Sequence, residues 1–170
     1  MSVESLFVEY AADKLRQFTD RIDVCLGKLT EDQIWARGGA NENAVGNLVL
    51  HLSGNVRQWI ISSLGGNPST RDRDGEFNAD GGFSAAQLSA LLRDTVEPAT
   101  EVILALGTEQ LTRTYEIQNY KVSGVEAVFH VVEHFGEHTG QIIFITKMLT
   151  GRDLGFYRHL RNSAHQETTP

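Results

Sequence analysis

The sequence has only one cysteine, Cys25, among its 170 residues, and this excludes an internal disulfide framework. Domains that fold without disulfides suit a reducing compartment, so we expect a cytoplasmic location. No apolar run reaches the roughly 18 residues that cross a bilayer. The first residues also lack the basic and apolar regions of a signal peptide. We therefore expect no membrane partner.

Basic residues are fewer than acidic ones. The sequence has 15 lysines and arginines and 22 aspartates and glutamates, which gives a formal net charge of −7. Proteins that bind duplex nucleic acid collect basic residues to displace counterions, so this balance argues against a nucleic-acid partner. The length suits one domain with a sizeable core. We predict a single domain over residues 1–161 and a polar, frayed tail over residues 162–170.

Four long segments carry the spacing of amphipathic helices. They cover residues 2–28, 43–64, 84–106 and 123–149. Capping boxes that begin at Ser84 and Ser123 mark the starts of the third and fourth segments. Pro98 is expected to kink or divide the third helix. Residues 113–117 could be briefly extended, but no convincing strand is present, so the sequence predicts an all-α four-helix bundle.

The longest break in this pattern lies between the second and third helices, in the run GGNPSTRDRDGEFNADGG. A loop of this length in a compact domain is usually functional or disordered. Arg71 and Arg73 lie within it and could clamp a substrate carboxylate. A solvated or structurally paired arginine is the commoner role for such residues.

Three of the six histidines share one register on the fourth predicted helix: His130, His134 and His138. This spacing places successive imidazoles one turn apart, where they can chelate a single ion. His51 is the only other histidine inside a confidently predicted helix, and its leucine neighbours would leave an unpartnered imidazole poorly solvated. It is the natural ligand from a second helix. Three neutral imidazoles with open positions suit Zn²⁺ best, while Ni²⁺, Co²⁺ and Fe²⁺ remain open.

The runs GNLVLHLSGNVRQW, RDRDGEF and HVVEHFGEHTGQI together resemble the DinB/YfiT-like superfamily, and specifically its DUF1572 branch, over nearly the whole chain. The resemblance implies a four-helix bundle in up-down-down-up order, often a homodimer, with a three-histidine site for a divalent metal such as Zn or Ni. Carried over residue by residue, it places the ligands on His51, His134 and His138. His130 is an addition to the family pattern. It could line the pocket, support a ligand or replace one.

Some relatives in the superfamily are thiol S-transferases or isomerases that use bacillithiol, mycothiol or glutathione. The resemblance therefore implies a metal that activates a low-molecular-weight thiol, since a coordinated thiol is deprotonated near neutral pH. Four side chains are candidates for the pocket: Asn55, Gln141, His130 and Arg73. The two amides could instead bridge helices.

Two alternatives stand beside this reading. HVVEH and HFGEH both match the H-x-x-E-H order of inverted zinc peptidases, in which Glu133 or Glu137 would act on metal-bound water. A non-catalytic, metal-binding stress-response dimer is the other, with an exposed apolar face or the Trp59 region as its seam. Cys25 lies on an apolar stretch and is expected to be a buried, inert thiol.

Overall fold

The computed structural model describes residues 2–161 and residue 166, so the predicted tail lies almost entirely outside the described residues. The architecture is mostly helical, as predicted. The four long helices are α1 (Val3–Leu26), α3 (Val45–Val56, continued by a π-helical turn at Arg57–Leu64), α5 (Ala85–Leu104) and α7 (Gly124–Thr150). Three short helices connect them, α2 (Glu31–Trp35), α4 (Arg73–Asn78) and α6 (Thr108–Thr112), and a 3₁₀ turn occupies Arg158–Arg161.

The helix ends follow the capping signals of the sequence. The hydroxyl oxygens of Ser84 and Ser123 accept hydrogen bonds from the third residue of α5 and α7, which satisfies a free amide at each start. Gly151 ends α7 with a φ of 64°, a left-handed conformation that glycine adopts readily. Of the two expected effects of Pro98, division of the helix does not occur, because α5 continues through it. Pro98 lies on the exposed side of the helix with Asp94, whose carbonyl can bond to water instead.

The four long helices enclose one hydrophobic core. Helix α1 packs against α5 and α7, and α3 packs against the same two helices. The largest fully buried side chains come from all four: Leu15, Ile22, Leu48, Leu52, Leu88, Leu92, Phe135 and Ile142. Cys25 is buried, as expected. Burial raises the pKa of the Cys25 thiol, so this residue is a poor nucleophile. Within the described residues, no helix is both long and apolar enough to span a membrane.

The all-α prediction is wrong in one respect, because a β-hairpin precedes α7. Strand β1 (Thr114–Ile117) pairs antiparallel with β2 (Tyr120–Ser123). The turn residues Gln118 and Asn119 have φ values of 51° and 66°, which a two-residue hairpin turn requires. The expected extended stretch is therefore β1. Its partner was missed because Gln-Asn is a weaker hairpin signal than Asn-Gly.

The long loop between the second and third predicted helices is also more ordered than the sequence indicates. It contains α4, whose start is capped by the Asp72 carboxylate at 2.9 Å from the amide of Gly75. The side-chain amide of Asn47, on α3, donates to the carbonyl of Ala79 at 2.7 Å and to that of Glu76 at 3.0 Å. These tertiary hydrogen bonds hold α4 against α3. The residue pattern of the loop does not predict them, because they join distant parts of the sequence.

Candidate metal centre

Three histidines from two helices meet on the inner side of α3 and α7. His51, His134 and His138 each offer a ring nitrogen, and these three atoms lie within 4.8 Å of one another. The Nε2 atoms of His51 and His134 are 2.9 Å apart. Two nitrogens on one tetrahedral ion, each about 2.1 Å from it, are about 3.4 Å apart. Small side-chain shifts would therefore bring all three onto one cation.

Two of these imidazoles are held by an acceptor on the other side of the ring. His51 Nδ1 lies 3.0 Å from Glu76 Oε2, and His138 Nδ1 lies 2.8 Å from Gln141 Oε1. Each oxygen accepts a hydrogen bond from a protonated Nδ1, which leaves Nε2 with its lone pair free. Metal-binding histidines in proteins commonly carry such a partner.

The environment keeps the α7 imidazoles neutral. Burial lowers the pKa of His134 to about 3, and the neighbouring imidazoles of His138, His51 and His130 add to the effect. Burial also lowers the pKa of His138, against the opposing hydrogen bond to Gln141. A neutral imidazole is the form that binds a metal. The donor set, the spacing and the protonation state therefore all fit a divalent cation of the kind that prefers nitrogen ligands.

A cavity of about 460 Å³ opens beside the histidines. Its wall combines residues of α3, α7, the α4 segment and the β-hairpin: His51, Asn55, Trp59, Arg71, Arg73, Gln118, Tyr120, Val122, Glu126, His130 and His134. Gln118, Tyr120 and Val122 are the residues that the hairpin contributes to this wall. This size and mixed lining suit a small organic molecule.

The predicted pocket residues are divided between the cavity and the histidines. Asn55 and Arg73 line the cavity, and Arg73 also lies over the Phe77 ring with its guanidinium carbon 5.0 Å from the ring centre. His130 lines it as well and packs against Trp59, with 4.2 Å between ring centres and 45° between the ring planes. Gln141 does not line it and instead bonds to His138.

His130 lies outside the close histidine group. Its ring centre is 5.6 Å from that of His134, and the two rings are nearly parallel. Burial lowers its pKa. Glu133 and Glu137 are exposed on α7 and do not line the cavity. The geometry therefore gives no support to either glutamate as a base for hydrolysis.

The sequence reasoning missed Glu76, and it read Arg71 only as a candidate clamp for substrate. Arg71 Nε and Nη2 donate to the two carboxylate oxygens of Glu76, each at 2.7 Å. Although burial alone would raise the pKa of Glu76, the hydrogen bonds from Arg71 and His51 lower it below its usual range. Arg71 is thus committed to Glu76. The run RDRDGEF carried both residues, but only the fold shows what they contact.

Comparison with solved structures identifies the class of the fold. The chain is similar to a DinB-like protein, YjoA, from Bacillus subtilis, with 18% identity and a TM-score of 0.66 over 86% of this chain and 96% of that one. It is similar to a DinB-like protein from Bacillus cereus, with 16% identity and a TM-score of 0.61 over 78% and 85%. The protein therefore has a DinB-like fold with a candidate metal site.

The family can be stated more narrowly. The model of DUF1572, described as a protein of unknown function, matches residues 2–160, and the chain belongs to this family. A conserved protein from Enterococcus faecalis is also similar in structure, with 16% identity and a TM-score of 0.71 over 89% of this chain and 99% of that one. No curated protein matches the sequence.

Proposed function

We propose that this protein is a metal-dependent thiol S-transferase that acts on small molecules, with Zn or Ni held by His51, His134 and His138. The observation that carries the proposal is the position of the histidine cluster: its ligand atoms lie within 4.8 Å of one another, and two of its members, His51 and His134, line an open cavity. A structural metal site is normally closed by four protein ligands, whereas a catalytic one keeps a position for substrate.

Charge at the site favours an anionic ligand from solution. The three imidazoles are neutral ligands, and the nearby Arg71–Glu76 pair is neutral as a whole. A divalent ion held there would keep its two positive charges uncompensated by protein ligands. Among the described residues that line the cavity, Glu126 is the one carboxylate, and it accepts hydrogen bonds from Ser123 at the start of α7. A thiolate would supply the missing negative charge.

The chemistry that a bound divalent ion supplies is deprotonation of a coordinated thiol near neutral pH. The chain itself would bind and orient the reactants. The Asn55 amide and the Arg73 guanidinium lie in the cavity wall, where they can hydrogen-bond to a polar substrate. Trp59 and Tyr120 give the same wall an aromatic surface. In the transfer, the thiolate sulfur forms a bond to an electrophilic carbon, and the leaving group departs with its electron pair.

We also propose the up-down-down-up order that the family resemblance implies. Contacts between Arg16 and Glu97 and between Arg93 and Asp20 support opposite directions for α1 and α5. Helices α1 and α7 make two contacts in the same order along both helices. Phe18 contacts Phe135, and Cys25, further along α1, contacts Thr146, further along α7. This order supports the same direction for α1 and α7.

A homodimer in the cytoplasm completes the proposal. Trp59 is only 3% exposed and packs within this chain, so its region offers little for a seam. Helix α7 instead exposes Phe129, Phe144 and Met148 by 59%, 65% and 71%. Exposed apolar faces of this kind often mark interaction surfaces. Light scattering should give twice the chain mass for the native protein, and Phe144→Glu should reduce it to the monomer.

The first experiment is metal analysis of untagged protein that is purified without added metal. We expect about one ion per chain, or uptake of one ion on titration with Zn²⁺ or Ni²⁺. Protein that holds no metal and takes up none would overturn the proposal.

The second experiment tests thiol binding and transfer. Co²⁺-loaded protein should develop a thiolate-to-metal absorption band with 2-mercaptoethanol or glutathione, and thiol transfer to 1-chloro-2,4-dinitrobenzene should require the metal. A bound ion without either signal would leave a metal site and remove the transferase.

A further inference from the structure

Glu76 and Arg71 form a buried ion pair directly behind His51. Their side chains are only 10% and 5% exposed. The Arg71 Nη2 atom donates to Glu76 Oε2 at 2.7 Å, and the same oxygen lies 3.0 Å from His51 Nδ1. A buried ion pair gives little net stability compared with apolar residues of the same size, so its presence beside a candidate ligand needs another reason.

The surrounding chain is shaped to bring the carboxylate to this position. A Cβ added to Gly54 on α3 would meet Glu76 Oε1 at 1.8 Å, so only glycine leaves space for the carboxylate there. Arg37, which follows α2, donates to the backbone carbonyls of Phe77 and Ala79 at 2.7 and 3.0 Å, and Asn47 of α3 donates to the same Ala79 carbonyl at 2.7 Å. The helix that carries Glu76 is therefore held both by α3 and by the segment that precedes α3.

The hydrogen bond decides which nitrogen of His51 carries the proton. Glu76 Oε2 can only accept, so His51 Nδ1 must donate to it and Nε2 keeps its lone pair. Arg71 Nη2 also lies 3.0 Å from His51 Nδ1, but its shorter contact is the hydrogen bond that it donates to Glu76 Oε2 at 2.7 Å. The other two Arg71 nitrogens donate elsewhere, Nε to Glu76 Oε1 and Nη1 to Gln58 Oε1. Nε2 is the atom that faces His134 at 2.9 Å. The ion pair therefore selects the tautomer in which His51 can bind an ion jointly with α7.

We propose that Glu76 is a positioning residue for His51: its carboxylate, placed by Arg71 and by the gap at Gly54, holds the imidazole in the Nδ1–H tautomer and aims Nε2 at His134 and His138. The functional reason for this arrangement, orientation of a metal ligand, rests on the proposed metal site. Its first consequence, the tautomer, exists in the metal-free protein. Carboxylate partners of metal-binding histidines act in this way in other proteins.

The test compares Glu76→Gln, Glu76→Ala and, as a matched control, Asp74→Asn on the same short helix. Asp74 is an exposed carboxylate residue that lies two positions before Glu76 in the sequence. Zn²⁺ affinity is measured by competition with a chromophoric chelator, with circular dichroism as the check on folding. We expect Glu76→Ala to weaken binding by about 10- to 100-fold. Glu76→Gln, which keeps an acceptor oxygen, should weaken it less, and Asp74→Asn should leave it unchanged.

The second readout is the ¹⁵N spectrum of the His51 ring in metal-free protein, which distinguishes Nδ1–H from Nε2–H. We expect the Nδ1–H form in the native protein and in Glu76→Gln, and a mixture or the Nε2–H form in Glu76→Ala. Native affinity together with an unchanged tautomer in folded Glu76→Ala would overturn the proposal. If Glu76→Ala does not fold, Glu76→Gln decides, since an Nε2–H signal there contradicts it.

The two proposals fail in different ways. A native protein that binds no metal but shows the Nδ1–H tautomer, lost in Glu76→Ala, removes the proposed function and keeps the role of Glu76. A native protein that binds one metal ion with the Nε2–H tautomer in its metal-free form removes the role of Glu76 and keeps the metal site.

Discussion

The two sides of the histidine cluster hold their imidazoles by different means. On α7, His138 finds its partner three residues away on the same helix, and the hydrogen bond to Gln141 is exposed. On α3, His51 finds its partner 25 residues away in Glu76, within a buried ion pair. An exposed amide can be replaced by water, whereas a buried carboxylate cannot lose its partners without a large cost. We infer that the α3 side is rigid and the α7 side is adaptable.

Breaking the rigid side should have the largest effect. Arg71→Met leaves the Glu76 carboxylate buried without its cation, and removal of one partner from a buried pair costs roughly 3 to 5 kcal/mol. We expect a loss of this size in the free energy of unfolding of the metal-free protein in urea. Arg158→Met is the matched control, because its ion pair with Asp153 is about two-thirds exposed and exposed ion pairs contribute little to stability.

The double variant Arg71→Met with Glu76→Met separates the pair from the individual residues. Apolar side chains of similar volume remove both charges at once, so most of the lost stability should return. Equal destabilisation by Arg71→Met and Arg158→Met would show that the environment of Glu76 is wetter than the structure indicates, and the contrast between the two sides would not hold.

Removal of a ligand should come next. His51→Ala leaves only the two α7 imidazoles, so we expect Zn²⁺ affinity to fall by more than about 100-fold, beyond the usual loss for an outer partner. His130→Ala is the control, because His130 lies outside the close group of three histidines. Its affinity should stay near the native value. A larger loss in His130→Ala than in His51→Ala would assign the ligands differently.

The contrast between the two sides also explains what the sequence could and could not predict. Periodicity and capping predicted the long helices because those signals are local. The one-turn spacing of His134 and His138 was visible for the same reason, whereas Gln141 was predicted as a pocket residue and instead bonds to His138. Glu76 was missed because its contact with His51 depends on how α4 packs against α3, and the hydrogen bonds from Asn47 that fix this packing join distant parts of the chain. The hairpin partner strand was missed for another reason, since its Gln118-Asn119 turn is a weaker local signal than Asn-Gly.

The pH dependence of stability should be smaller and have a definite sign. Burial, with help from the neighbouring imidazoles, lowers the pKa of His134 to about 3 from an ordinary value of 6.5. Below about pH 6.5, His134 is therefore protonated in the unfolded chain but not in the folded chain. The free energy of unfolding consequently decreases as the pH falls below about 6.5. Glu76 has a lowered pKa as well, so its contribution is present above pH 4.5 and is lost below it.

We expect the urea midpoint of the metal-free protein to decrease from pH 7 to pH 4.5. In His134→Gln, the midpoint should change less over the same pH interval. A midpoint that stays constant over this interval would mean that His134 titrates normally. The electrostatic description of the α7 side would then be wrong.

The smallest effect should come from the adaptable side itself. Gln141→Ala removes the acceptor for His138 Nδ1, but the position is exposed and a water molecule can accept the same hydrogen bond. We expect Zn²⁺ affinity to fall by less than about tenfold, clearly less than in Glu76→Ala under the same conditions. If the two variants lose affinity equally, burial of the partner is not what controls ligand position. Both histidines would then depend on their acceptors alone, and the rigid and adaptable sides would be equivalent in function despite their different construction.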